Sequence, residues 1–318
     1  MIDEYIITVI IPTYNNAEYL ERCLLSVINQ SVKNIKIIIV DNGSTDNTSG
    51  IIQYYIKNYD NIECHITLGG GPGAARNIGI ARCKTKYITF IDSDDWIDLN
   101  AYQNCINLLE NNPQCDAAII GILTEYDSYF LSQKRYSYEK ENVIESKLAL
   151  ALLTNTYNYS EHISPLLGNK VYRSNVILDN KILFPETYFE DNVFMFQFFY
   201  FSKHIILVSR NYLHYYQRCN SIMHSFSSKH ISDFFETFKI LKSFLKNENR
   251  FSEYQKYYYA FFQRGCAMLL NTLFSVEQNI QVQKKYLIEF MKYIELNFDV
   301  DDLINNIDIN LLKRIWGI

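Results

Sequence analysis

The chain has 318 residues, of which 48% are hydrophobic and 20% are charged, and its formal net charge is −5. This composition predicts a folded protein and excludes an intrinsically disordered chain. It also argues against a general nucleic-acid-binding surface, which needs clustered lysine and arginine, so we expect no nucleic-acid partner.

Seven cysteines are scattered along the chain without a Cys-x-x-Cys pair. Such a set is typical of reduced thiols in a cytosolic protein rather than of a disulfide framework or a zinc site. The acidic start, residues 1–5, leads directly into a strand-like run and does not resemble a secretory signal peptide. No apolar stretch approaches the ~20 residues of a membrane span. We therefore expect a soluble cytoplasmic protein, with any contact to the inner face of the membrane being peripheral.

The first hundred residues alternate between strand and helix signals. The runs Ile6–Ile11 and Ile35–Val40 are apolar on both faces, as buried parallel strands are. Apolar residues at helical spacing predict a helix over Ala17–Asn29, and Ser44 or Thr45 is placed to cap a second helix. Further predicted elements are strands at Glu63–Thr67 and Tyr87–Ile91 and a helix at Ala74–Ala81.

This alternation predicts an α/β fold with a parallel sheet, in which ligands sit beyond the carboxyl ends of the strands. The polar segments Pro12–Tyr14, Asp41 and Asp92–Asp95 each follow a predicted strand. We therefore expect all three to meet at one edge of the sheet.

The rest of the chain is less regular at first and then strongly helical. A helix at Ala101–Glu110 and a strand at Ala117–Thr124 precede a polar run, Lys134–Asn142, that we interpret as a loop or hairpin. From Lys229 onward, long helical periodicity predicts a mainly α-helical C-terminal region. The predicted domains are 1–225, with a nucleotide-sugar half to about residue 100 and an acceptor half after it, and 226–318.

The acidic cluster directly follows a buried strand, so Asp92, Asp94 and Asp95 are held close together. Carboxylates in such a cluster repel one another unless a cation or a proton relieves them, and hard oxygen ligands favour Mg²⁺ or Mn²⁺. Taken alone, the motif is equally compatible with a solvated turn in which Asp95 caps a helix.

Four blocks in the first hundred residues resemble family 2 glycosyltransferases of the GT-A fold. They occur in the expected order and spacing, as Val9–Asn15, Ile39–Asp46, Ala74–Ile80 and Phe90–Asp95. Looser matches follow at Gly168–Tyr172, Phe189–Phe194 and Tyr215–Ile222, and this longer set is similar to bacterial enzymes that build capsule, exopolysaccharide or lipooligosaccharide.

The resemblance implies a GT-A catalytic domain, which is a Rossmann-like nucleotide-binding sheet with flanking helices. It implies inverting transfer of a sugar from a nucleoside-diphosphate donor, expected to be UDP-linked, to a hydroxyl of a growing glycan, free or lipid-linked. The implied cofactor is Mn²⁺ or Mg²⁺. Two alternatives stay open: a nucleotidyltransferase, and a non-catalytic nucleotide-sugar-binding scaffold.

Position by position, the resemblance also implies the roles of the residues on the donor side. Pro12, Thr13 and Tyr14 would line the nucleobase pocket, and Asp41 would accept a hydrogen bond from the base. The family often has aspartate where this chain has Asn42.

For the diphosphate side, the resemblance implies that Arg76 approaches the pyrophosphate or holds the acidic edge in place. Asp92 would lie near the ribose with Ser93 beside it, and Asp94 would bind the metal. His224, in a polar stretch with Arg218 and Ser221, is a second candidate metal ligand or an ordinary surface residue.

For the acceptor side, the resemblance implies that Asp191 is the catalytic base, with Glu190 as its neighbour or orienting group. These two acidic residues are also suited to the N-terminus of a helix, where they favour the dipole. Lys170 is interpreted either as an acceptor or phosphate contact or as a structural ion pair, and His214 as a core histidine.

The C-terminal aromatic stripes are most simply a core that packs onto the catalytic domain or onto a second subunit, which would give a homodimer. Alternatively, an amphipathic helix carrying Lys239, Lys242 and Lys246 touches an anionic membrane, where a lipid-linked acceptor would sit.

Overall fold

The computed structural model describes residues 5–126, 129–157, 160–217 and 226–298. Its strands and helices alternate as far as Phe90, and the last three of the described elements are long helices. In chain order the elements are β1 (Ile7–Thr13), α1 (Ala17–Ile28), β2 (Ile35–Asp41), α2 (Thr48–Asn58), β3 (Ile62–Ile66), α3 (Gly71–Ile80), β4 (Tyr87–Phe90), β5 (Trp96–Ile97), α4 (Ala101–Asn111), β6 (Cys115–Tyr126), β7 (Tyr129–Tyr136), β8 (Asn142–Glu145), α5 (Ser146–Thr154), β9 (Lys170–Arg173), α6 (Ser174–Asp179), α7 (Glu190–Phe201), β10 (His204–Gln217), α8 (Ser228–Asn247), α9 (Phe251–Val276) and α10 (Ile280–Asn297).

The described residues divide into two compact units. The first contains the chain up to Ala149 together with Ile163–Glu186 and Gln197–Gln217. The second contains Leu150–His162, Thr187–Phe196 and the described residues after 217. The domain boundary near residue 225 stays a prediction.

The first unit is built on one sheet of ten strands, in the order β3-β2-β1-β4-β9-β6-β10-β5, with β7 beside β6 and β8 beside β10. Strands β1, β2, β3 and β4 are parallel to one another. The predicted α/β architecture with a parallel sheet is therefore confirmed for β1 to β4. Antiparallel β9 then joins β4 to β6, which makes the complete sheet mixed.

The polar run at residues 134–142 is part of a hairpin and a following strand. β7 pairs antiparallel with β6, with Leu123 opposite Lys134, and β8 begins at Asn142. Both interpretations apply in part, because residues 134–136 end a hairpin strand and residues 137–141 form a loop.

The core of the first unit follows directly from the apolar strands. Every residue of β1 is buried, and helix α1 turns Leu20, Cys23, Leu24 and Val27 inward. Helix α3 packs very closely on β1, because a Cβ atom on Gly79 would lie 2.6 Å from the side chain of Ile10. Glycine at this position therefore sets how near the helix comes to the strand.

One local prediction was wrong, and one alternative that the sequence left open does not apply, for the same physical reason. Helix α2 begins at Thr48 rather than after Ser44 or Thr45, because those residues bond to Asp41 and Asn15 instead. No helix follows Asp95, whose carboxylate accepts the amide of Tyr216, and the chain continues into β5. In both places, a side chain that could have capped a helix fixes a loop instead.

The second unit contains α8, α9 and α10, so the predicted helical C-terminal region is confirmed. The predicted stripes are buried: Phe234, Phe238, Leu241 and Leu245 on α8, and Tyr258, Phe261, Phe262, Cys266, Leu269, Leu270 and Leu273 on α9. Among the described residues, none of the helices combines the length and the hydropathy that crossing a membrane requires.

Candidate active site

Three loops meet at the carboxyl edge of the parallel strands. Thr13 at the end of β1 is opposite Asp41 at the end of β2, and Ile91, directly after β4, donates its amide to Ile10 of β1. The segments Pro12–Tyr14, Asp41 and Asp92–Asp95 therefore lie at one edge, as expected from the sequence.

The β1 end of this edge has buried polar atoms beside an exposed ring. Thr13 is buried, and neither its hydroxyl nor the side-chain oxygen of Asn42 has a hydrogen-bond partner among the described residues. Buried polar atoms are nearly always paired in folded proteins, so these two point to a ligand or water at this place. The side chain of Tyr14 is exposed and available for stacking on such a ligand.

Asp41 is a buried carboxylate that already accepts three hydrogen bonds. Its Oδ1 accepts from the amide of Ser44 at 3.0 Å and from its hydroxyl at 2.6 Å, and Oδ2 accepts from the Ser49 hydroxyl at 3.3 Å. A carboxylate offers about four lone-pair positions, so these bonds fix its orientation and leave room for one further donor.

The β1–α1 and β2–α2 loops are tied together next to Asp41. Asn15, at a φ of 46°, accepts the amide of Thr45 at 2.7 Å, and its own amide donates to Ser44 Oγ at 2.9 Å. Asp46 accepts the amide of Ala17, and although burial alone would raise the pKa of Asp46, hydrogen bonds from Thr48 and Ala17 lower it. Two loops that follow different strands are thereby joined into one frame beside Asp41.

The acidic turn is held by a different partner at each position. Arg76, which is buried on α3, donates to Asp92 Oδ1 at 2.7 Å, so its guanidinium lies against the acidic edge. The hydroxyl of Ser93 accepts a hydrogen bond from Asn16 at 2.6 Å. Asp95 is buried and accepts the amide of Tyr216. The side chain of Asp94 lies in the same turn and is half-buried.

Arg22 is a site residue that the sequence did not reveal. It donates to the carbonyl oxygen of Asp94 at 2.8 Å, and its guanidinium lies 3.9 Å from the ring centre of Trp96 and 4.6 Å from that of Tyr216. Burial lowers the pKa of Arg22, while the charges of Asp95 and Asp94 oppose this shift. In the sequence, Arg22 looks like any polar residue on an amphipathic helix, so no local signal could have identified it.

His214 lies between two carboxylates and a ring. Its Nδ1 is 2.6 Å from Glu125 Oε1, its Nε2 is 3.1 Å from Asp98 Oδ1, and its ring stacks on Trp96 at 4.8 Å. The histidine is partly buried and hydrogen-bonded at both nitrogens, which leaves neither nitrogen available to a ligand.

Lys170 is completely buried, and its ammonium binds mainly to backbone oxygens. Its ammonium donates to the carbonyl oxygens of Ser164 and Leu166 and to the side chain of Asn169. These bonds hold the segment that leads into β9, so the geometry favours a structural role over contact with a substrate.

Glu190 and Asp191 belong to the second unit and are the first two residues of helix α7. Both are partly accessible, and Asp191 Oδ1 lies 2.8 Å from the amide of Asn192. They thus stand where carboxylates favour a helix dipole, and this position is compatible with a base that faces an acceptor.

The second candidate metal ligand, His224, lies outside the described residues, as do Arg218 and Ser221. Within the described ranges, no three histidine, cysteine, aspartate or glutamate side chains are grouped so that they could hold a metal ion. Mg²⁺ commonly binds to one or two carboxylates and takes phosphate oxygens and water as its other ligands.

Comparison with known proteins gives a consistent result. The model of the family Glycosyl transferase family 2 matches residues 8–169. The chain is 26% identical to "Putative glycosyltransferase EpsH" of Bacillus subtilis over 260 residues, which cover 79% of this chain and 72% of that protein. It is 30% identical to "Glycosyltransferase GlyG" of Streptococcus pneumoniae over 232 residues, 69% of this chain and 73% of that protein.

Among solved structures, the chain is similar to residues 1–349 of TarS from Staphylococcus aureus in complex with UDP-GlcNAc. The TM-score is 0.71 at 21% identity, and the match covers 92% of this chain and 82% of that one. This similarity confirms the predicted GT-A fold.

Proposed function

Because the chain belongs to glycosyl transferase family 2, and is therefore a glycosyltransferase, we propose that it moves one sugar from a UDP-linked donor to a hydroxyl of a growing surface glycan. The observation that carries this proposal is the meeting of Thr13, Asp41 and the acidic turn at one sheet edge. Of the two alternatives, the nucleotidyltransferase does not agree with the family, and a non-catalytic scaffold does not explain why Asp94 and Asp191 are both present.

The nucleotide is proposed to lie along that edge. Tyr14 stacks on the base. Asp41 accepts the N3–H of uracil at the fourth lone-pair position of its carboxylate, since three donors already occupy the others. Asp92 faces the ribose, oriented by Arg76. The UDP-GlcNAc in the similar TarS structure supports uridine as the base and makes UDP-GlcNAc the first donor to test.

A divalent cation, Mn²⁺ or Mg²⁺, is proposed to be held by Asp94 together with the diphosphate of the donor. The chemistry of the donor set fits such an ion, since a carboxylate, phosphate oxygens and water are all hard oxygen ligands. When bound, the ion supplies positive charge to the departing diphosphate.

The transfer step is proposed to invert the anomeric centre. The acceptor hydroxyl oxygen forms a bond to the anomeric carbon from the face opposite the phosphate, and the bond from that carbon to the phosphate oxygen breaks. UDP leaves with the electron pair of that bond. The proton of the hydroxyl passes to the carboxylate of Asp191, with Glu190 as its neighbour.

We also propose that the enzyme works in the cytoplasm and that the acceptor is a free or lipid-linked glycan. Contact with the inner face of the membrane would use the lysines of α8, Lys239, Lys242 and Lys246, although Lys239 is already paired with Glu236. We likewise propose that the protein forms a homodimer through its C-terminal helices.

The test is a panel of UDP-, GDP- and dTDP-sugars with Mn²⁺ or Mg²⁺, scored for release of the nucleoside diphosphate. We expect slow hydrolysis of a UDP-sugar, and we expect Asp94→Ala to abolish it. If no donor is consumed, with or without candidate acceptors, the proposal fails.

A further inference from the structure

The residues directly before the proposed base are held by one face of a C-terminal helix. Helix α7 starts at Glu190, and the segment Thr187–Phe189 leads into it. This segment and helix α8 both belong to the second unit. The direction in which α7 starts therefore depends on what fixes this short segment.

A buried carboxylate on α8 holds the backbone of Tyr188. The amide of Tyr188 donates to Asp233 Oδ2 at 2.8 Å, and Lys229 donates to the same oxygen at 2.7 Å. The Thr237 hydroxyl lies 2.9 Å from the Asp233 carbonyl oxygen and 3.3 Å from that of Tyr188, so its single proton is shared between them. Asp233 is 9% exposed, which makes its bond to the Tyr188 amide costly to lose.

The aromatic rings of the segment rest on the same face of α8. The ring centre of Tyr188 is 4.9 Å from that of His230 and 4.8 Å from the Lys229 ammonium. Phe189 meets Phe234 edge to face at 6.2 Å. These contacts recur at the three- and four-residue spacing of one helical face.

Phe189 requires such support because its φ is 63°. A left-handed conformation costs a residue with a side chain about 1–2 kcal/mol, and it persists only where surrounding contacts over-determine it. The amide of Asn192 donates to the Phe189 carbonyl, so this bend is also the first turn of α7.

We infer that Asp233 is a positioning residue for the glycosyl transfer: by fixing the Tyr188 amide it sets the start of α7 and so the aim of the Asp191 carboxylate. This inference rests on the proposed function, because Asp191 is the base only by that proposal. The C-terminal helices then contribute to the reaction, which is a role that the sequence did not suggest.

The experiment compares Asp233→Ala, Asp233→Asn and Thr237→Val with wild type in the full chain. Glu236→Ala and Glu236→Gln are the matched controls, because Glu236 is an exposed carboxylate three residues further along α8. Three quantities are measured: hydrogen exchange of the Tyr188 amide, kcat and KM for UDP-GlcNAc consumption (or for the donor that the panel identifies), and the Kd of UDP.

We expect Asp233→Ala to accelerate exchange at Tyr188 and to lower kcat about tenfold to a hundredfold, since a misaimed reacting group costs that much. The donor KM and the Kd of UDP stay unchanged. Asp233→Asn recovers most of kcat, because the amide oxygen still accepts from Tyr188. Thr237→Val gives a smaller loss of the same kind, and it serves as the test if Asp233→Ala does not fold.

Faster exchange at Tyr188 with an unchanged kcat overturns the inference, and so does an equal loss of kcat in the Glu236 controls. The inference is also overturned if kcat falls in Asp233→Ala and does not recover in Asp233→Asn while UDP binds more weakly, because that result shows general damage to the structure. The proposed function fails on different results. If the wild type consumes no donor, both the proposed function and this inference fail. If an Asp191→Asn variant keeps the full kcat, Asp191 is not the base.

Discussion

The guanidinium of Arg22 donates a hydrogen bond to the backbone carbonyl oxygen of Asp94 at 2.8 Å. A side chain from the first helix of the chain thus holds the turn that carries the proposed metal ligand. The ring centre of Trp96 lies 3.9 Å from the guanidinium, and this cation–π contact helps to hold the arginine side chain in place beside the turn.

Arg22→Met should weaken metal binding without unfolding the protein, since methionine keeps an apolar stem against the rings but removes the donor and the charge. We expect the Mn²⁺ concentration for half-maximal turnover to rise at least about tenfold, as is usual when a partner that orients a metal ligand is lost. Arg82→Met, which changes an exposed arginine, should have no effect. An unchanged Mn²⁺ dependence in Arg22→Met would contradict this role.

Asp41→Asn should remove discrimination between uridine and cytidine nucleotides. The wild-type carboxylate can accept the N3–H of uracil but repels the N3 lone pair of cytosine, whereas an amide can donate to that lone pair. We expect calorimetry to give a wild-type Kd for UDP at least about tenfold below that for CDP, and nearly equal values for the variant.

The control for this experiment is Asp60→Asn, which makes the same change of charge at an exposed residue before β3. It should keep the wild-type preference. If Asp41→Asn also keeps that preference, Asp41 acts only on the loop through Ser44 and Ser49 and does not contact the base.

These two residues show what the sequence could and could not predict. Asp41 follows an apolar strand, and its place at the sheet edge was evident because parallel strands end together. Arg22 acts across 72 residues of chain, on a backbone oxygen, and no local pattern records such a contact. Ser44 was expected to cap a helix, but its hydroxyl bonds to Asp41, because local propensity does not decide between two nearby acceptors. Most of the fold was therefore predictable, whereas the hydrogen bonds that orient the side chains of the site were not.

Lys170→Met should destabilise the protein by about 2–4 kcal/mol, because it leaves buried acceptors at Ser164, Leu166 and Asn169 without their donor. Urea unfolding measures the loss, and Lys84→Met, at an exposed position, should show none. The donor KM of the folded variant should equal that of wild type. Unchanged stability with a raised KM would instead mean that Lys170 contacts the substrate.

Glu110 should make the stability of the first unit depend on pH. The Lys86 ammonium donates to both oxygens of its carboxylate, at 2.6 and 2.7 Å, and this lowers the pKa of Glu110 from its ordinary value of 4.5. The Tyr87 hydroxyl donates to it as well, at 3.0 Å, and burial raises the pKa of Tyr87 to about 12. A carboxyl with a pKa lowered by folding stabilises the protein above its unfolded pKa, and this contribution is lost as the pH falls through the folded pKa.

We therefore expect Glu110→Gln to lower the free energy of unfolding at pH 7 by about 0.5 kcal/mol, a small value because the ion pair is half exposed. The difference from wild type should shrink as the pH falls below 4.5, where the unfolded carboxyl is protonated, and vanish below the folded pKa. Urea titrations at pH 7 and at pH 3.5 measure this, with Glu139→Gln, in an exposed loop position, as the control. A difference that stays constant between the two pH values would mean that Glu110 acts through packing, because only a titrating charge loses its contribution on protonation.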